Sequence, residues 1–134
     1  MRVFERAGRG LLAVAALASL ALAGCAAPAS TEPDVTIQHE ISPHPPAVGP
    51  ASVTLTLSDA GGAPVTGATL RVEGNMSHPG MEPVFGDATE VAPGRYRTPL
   101  EFTMAGDWYI LVDATLSDGR TVQRQVDVRG VKRR

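Results

Sequence analysis

The clearest order along the chain is an alternation of apolar and polar positions with period two. Val53, Leu55 and Leu57 alternate with Ser52, Thr54, Thr56 and Ser58. Because successive strand side chains point to opposite faces, this predicts a half-buried strand. The same period groups Val35, Ile37, His39 and Ile41, and again Ala68, Leu70 and Val72, with Met76 and His78 in phase if that strand continues. It returns in Tyr96, Thr98, Leu100, Phe102 and Met104, in Trp108, Ile110 and Val112, and in Val122, Val126 and Val128. Arg124 interrupts the last set, as an edge strand tolerates. Turn formers separate the groups: SPHPPAVGP at 42–50, DAGGAPVTG at 59–67, APG at 92–94, Ala105-Gly106 and SDG at 117–119. Residues 83–91 show no parity and read as a loose connection. Six or seven short strands with no amphipathic helix predict an all-β fold, an immunoglobulin-like antiparallel β-sandwich over residues 35–129.

The first residues follow a different rule. MRVFERAGRG carries Arg2, Arg6 and Arg9 ahead of the apolar run LLAVAALASLALA, which is short for a membrane span and has the layout of a signal peptide. It ends in Leu22-Ala23-Gly24-Cys25, which resembles the lipobox of bacterial lipoproteins. That resemblance implies cleavage after residue 24 and acyl chains, such as palmitate, on Cys25, enough for stable attachment to a membrane. The expected product is an extracytoplasmic domain held on a bacterial membrane by its lipid. Residues 25–34, rich in small residues, Pro and acids, read as a flexible tether. Residues 130–134 read as a basic, soluble tail with Lys132, Arg133 and Arg134, which could touch anionic headgroups.

Removing the leader changes the charge. The 12 basic and 14 acidic residues of the chain fall to 9 and 13, a formal net of −4. No basic surface of the kind nucleic acid requires is left, so no nucleic-acid partner is expected. Cys25 is the only cysteine, so an exported chain forgoes disulfides and must rely on packing in one core.

The series GPASVTLTLSDAGGAPVTGATLRVEGNMSHPGM, followed by PGRYRTPLEFTMAGDWYILVDA, resembles the YtkA-like or FixH-like domain of bacterial envelope proteins, from Val48 to about Val128. The resemblance implies a small β-sandwich outside the cytoplasmic membrane, in the periplasm of a cell that has one. FixH-like proteins are associated with a copper-transporting pump and with assembly of haem-copper oxidase, and sandwiches bearing Met and His recur among periplasmic copper carriers. This chain has a lipidation motif at Cys25 where FixH-like proteins keep a transmembrane helix.

The segment GNMSHPGMEPV places Met76, His78 and Met81 within six residues. Thioethers and imidazole are soft donors that suit Cu(I), and in an oxidising compartment Met replaces Cys as the usable soft ligand. Pro79-Gly80 has the chemistry of a type II turn, which would bring His78 and Met81 together as its first and last residues. Met76 and His78, two apart on an extended strand, would project to the same side. Met104, just before the Ala105-Gly106 turn, is a fourth candidate, and so are His39 and His44. The competing reading is structural: Met76 and Met104 in phase with core residues fill gaps, His39 is half-buried, and the Met-His-Met turn is a hydrophobic lip.

Zinc is poorly served without a free thiol, and Glu82, Asp87 and Glu90 are too loosely spaced for calcium. No G-x-S-x-G, H-E-x-x-H or phosphate loop occurs, so no enzyme is expected. Two functions remain: a copper-binding domain that delivers or stores the metal, as Cu(I), for oxidase assembly or copper handling with an envelope partner, and a metal-free module for protein–protein interaction.

Overall fold

The computed structural model describes residues 33–134. The leader, Cys25 and most of the predicted tether lie outside the described residues. Seven antiparallel strands make up the domain: β1 Val35–Ser42, β2 Gly49–Asp59, β3 Thr69–Met76, β4 Val84–Ala92, β5 Arg95–Phe102, β6 Gly106–Thr115 and β7 Thr121–Val131. Their order is β1-β2-β5-β4-β3-β6-β7. The first four and last three of that series are the two sheets of an immunoglobulin constant-type sandwich. No helix among the described residues is long and apolar enough to cross a membrane.

The alternating residues form the core as their period requires. Val53, Leu55 and Leu57 from β2 and Tyr96, Leu100 and Phe102 from β5 face Leu70, Val72, Trp108, Ile110 and Val112 from β3 and β6, all buried. At about 25 cal/mol for each Å² of apolar surface removed from water, such side chains dominate the stability of a domain without disulfides.

The loose segment of the sequence is a strand. β4 pairs through Val84–Ala88 with β3 and through Thr89–Ala92 with β5, with a register shift between Glu90 and Ala92. A strand that changes sheets part-way never buries one face along its length: Val84, Gly86 and Ala88 are only half-buried, and Thr89–Ala92 are all exposed. Gly86 lies two residues before the last β3-paired position, opposite Val72. A methyl group there would meet the Thr98 side chain and come within 2.7 Å of the Pro99 carbonyl oxygen. Gly86→Ala is expected to cost about 1–3 kcal/mol through overpacking. It should lower the urea midpoint with the slope of the transition unchanged.

β7 runs to Val131, which is buried, and the expected free tail is paired instead. The Lys132 N–H donates to the Pro46 carbonyl at 2.9 Å, and the Val48 N–H donates to the Lys132 carbonyl at 2.9 Å. Val131 carries the register into the core, so the backbone beyond it stays beside the β1–β2 loop.

At the pole where the chain enters β1, two side chains fasten the β2–β3 connection. The Tyr96 hydroxyl donates to the Val65 carbonyl at 2.8 Å and accepts from the Ala68 N–H at 3.1 Å. Burial pushes its phenol above the ordinary value. The Glu90 carboxylate accepts from the Gly94 N–H at 3.0 Å and the Gly67 N–H at 3.3 Å. These donors, Gly94 foremost, hold its pKa below the ordinary 4.5. A depressed carboxylate adds stability above its unfolded pKa and loses it as pH falls through the folded one. Glu90→Gln should therefore melt below wild type at pH 7, and the gap should close as both are acidified through and below the ordinary carboxylate range. A gap independent of pH would dissociate the effect from the carboxylate's charge.

Candidate metal site

β3 ends at Met76. There the Ser77 N–H donates to the Asp107 carbonyl at 3.2 Å, and Pro79, with no N–H, cannot extend the ladder. Ser77–Gly80 turn away from the sheet, and Gly80 has φ 83°, the left-handed value that a type II turn requires at its third residue. The expected turn is present, but His78 has left the strand, so its alignment with Met76 on one strand face does not hold. His78 is exposed on the turn and Met81 is half-buried against the core.

Met76 is 7% exposed and belongs to the core cluster. Its strand partner across the sheet is Trp108, and its methyl carbon lies 3.2 Å from where a Gly106 side chain would begin. Trp108 packs edge-on against Phe102, centroids 5.3 Å apart at 75°. Its indole N–H donates to the Met104 carbonyl at 2.9 Å. That bond holds the β5–β6 turn over the tryptophan, and Met104, expected in phase with the core, is 48% exposed. Its apolar phase does not bring it inward because β5 stops at Phe102.

The β3–β4 turn with His78 and Met81 is thus tied through Ser77 and Asp107 to the start of β6, and the β5–β6 turn is tied to the same strand by the bond from Trp108 to Met104, four residues earlier. All three methionines after Met1, Met76, Met81 and Met104, lie at this end of the sandwich. Met76 is buried there, Met81 is half-buried, and His78 and Met104 are exposed. No sequence signal marks Ser77, Asp107 and Trp108 as joining the two turns, since backbone and indole bonds between distant segments leave no local pattern.

The other two histidines sit elsewhere. His39 is exposed although it shares the phase of Val35 and Ile37, because β1 is an outermost strand and its inward face opens on the seam with β7. His39 and His44 line a cleft there with Asp127 and Arg129. Among the described residues no three His, Cys, Asp or Glu side chains group closely enough to hold a metal, and no buried side-chain nitrogen or oxygen lacks a partner. The case for a metal at the methionine pole therefore stands on the donor set. Three thioethers and an imidazole fit a soft monovalent ion and no hard one.

The sequence matches the YtkA-like family over residues 30–113. The chain belongs to the YtkA-like family. That stretch runs from before β1 into β6, so it contains both turns of the methionine pole. No curated protein matches the chain. Among solved structures, this YtkA-like chain is similar to the soluble domain of PmoD from Methylocystis sp. ATCC 49242 (Rockwell), with 14% identity over 71% of this chain and 89% of that one, TM-score 0.45. It is also similar to MtrC from Shewanella baltica OS185, with 16% identity over 72% of this chain and 22% of that one, TM-score 0.46. Murine CRIg follows with 12% identity over 75% and 98%, TM-score 0.41. Likenesses at this level say nothing of chemistry.

Proposed function

We propose that this YtkA-like domain is a copper carrier, lipid-anchored outside the cytoplasm through Cys25, which takes Cu(I) at the methionine pole and passes it to an envelope partner. The observation that carries the reading is the gathering of Met76, Met81 and Met104 at one end, beside the exposed His78, by two turns tied to β6. Thioether and imidazole side chains satisfy a soft ion without a thiol. His78, Met81 and Met104 are the ligands that solvent and a partner can reach, while Met76 backs them. Few and exposed ligands favour exchange over storage, since each can be replaced in turn by a donor from the receiving protein. The domain acts by binding and release rather than by catalysis.

The test is a Cu(I) titration of the mature chain carrying Cys25→Ser, against a competing bicinchoninate chelator under reducing conditions. The carrier reading expects one equivalent of copper withdrawn from the chelator. A chain that withdraws none is left with the metal-free interaction role.

A further inference from the structure

Strand direction gives the sandwich two poles with different chemistry. The chain enters β1 at Val35 on one of them. The ends of β3, β5 and β7 and the starts of β2, β4 and β6 all lie at the other, with the methionines. β7 delivers a group of cations to that second pole: Arg129, Lys132, Arg133 and Arg134, all exposed. They make up four of the nine basic residues that follow the leader.

Arg129 lies on β7 and Lys132 is held by backbone bonds, with Arg133 and Arg134 following it directly. The two hydrogen bonds of Lys132 with Pro46 and Val48 hold the segment beside the β1–β2 loop. The Arg134 guanidinium carbon rests 3.5 Å from where a Gly49 side chain would start. Among the described residues no carboxylate lies within ion-pair reach of any of the four; elsewhere Arg95 and Arg120 pair with Glu40 and Asp118, Arg71 lies over the Phe85 ring, and Arg97 shares the lack of an ion pair but not the clustering. A chain of net negative charge thus gathers four cations without ion pairs beside its soft donors. Two of its large exposed apolar side chains, Phe85 at 53% and Met104 at 48%, stand at the same end.

We infer that the methionine pole is a docking face for a folded protein whose matching surface is acidic; its purpose in copper exchange rests on the carrier reading, its evidence does not. Complementary charge raises the rate of encounter and fixes orientation, which brings the exposed thioethers against the partner's own donors. A bilayer of anionic lipid fits less well. Glu82, Glu101 and Asp107 are exposed at the same pole, and a uniform negative sheet would repel them, while a folded partner can be patterned around them.

The experiment uses metal-free, isotope-labelled mature chain with Cys25→Ser. The probe is a blocked seven-residue peptide of Asp and Glu with one central Met, followed by amide shifts. Expected are shifts at His78, Met104, Val131 and Lys132, and binding at least about fivefold weaker when Lys132, Arg133 and Arg134 are all changed to Gln. Raising salt from about 20 to about 200 mM should weaken it similarly. Removing equal charge elsewhere, with Arg95, Arg97 and Arg120 changed to Gln, should leave binding at the pole unaltered. Equal losses from the two triple variants, or shifts scattered away from the pole, overturn the proposal. So does capture of wild type by phosphatidylglycerol vesicles without binding of the peptide. Because no copper is present, failure here and failure of the copper titration are separate results.

Discussion

Trp108→Ala is expected to remove about 3–5 kcal/mol of stability, the usual range for deleting a buried large aromatic. A single domain is commonly stable by only about 5–15 kcal/mol, so the variant should melt roughly 15 °C or more below wild type. Trp108 is 2% exposed and stacks edge-on against Phe102. It also faces Met76 across the β3–β6 pair. Alanine would open a cavity between all of these and release the Met104 carbonyl from the indole N–H. Trp108→Phe separates the two roles: it keeps most of the packing but loses the donor, a net change of about 1 kcal/mol for one hydrogen bond. The phenylalanine variant should stay folded while the β5–β6 turn loosens, visible as faster amide exchange at Met104 and Ala105. A Trp108→Ala domain that melts within a few degrees of wild type would show that the ring is not the pin of this pole.

The tryptophan also marks where sequence reading works and where it stops. Its neighbours on β6, Ile110 and Val112, and the series on β2 were legible because a strand with one solvated face imposes period two on its own residues. β4 was not legible, because it divides its pairing between two sheets and answers to two faces in turn. His39 had the right phase and the wrong burial: parity gives the direction in which a side chain points, and only topology says whether anything covers it. Met104 shows the converse, a residue whose apolar phase continued past the point where the chain turned. At the candidate site the Pro79-Gly80 turn was readable from residue chemistry alone. The approach of the second turn was not, since it depends on bonds from Ser77 to Asp107 and from Trp108 to Met104.

The burial gradient across the four donors turns the copper reading into a differential prediction. His78, Met81 and Met104 are exposed or half-buried, whereas Met76 is part of the core. Changing His78, Met81 and Met104 together to Ala should lower the affinity for Cu(I) by at least about 100-fold, near 1.4 kcal/mol for each tenfold step. It should lower the thermal midpoint less than Met76→Ala does, because His78 and Met104 are exposed and only the half-buried Met81 gives up packing against the core. Met76→Ala should do the opposite, costing about 2–5 kcal/mol through the cavity beneath Gly106 and Trp108. Met76→Leu, which conserves volume and removes the sulfur, distinguishes a floor from a ligand. If the thioether of Met76 binds the ion, Met76→Leu loses about tenfold in affinity at nearly wild-type stability; if Met76 only supports the others, affinity is retained. The same titration against bicinchoninate reads every variant. A triple variant that competes for Cu(I) as well as wild type would remove the methionine pole from copper chemistry. It would leave the pole as a hydrophobic lip bordered by cations, suited to holding a partner rather than an ion.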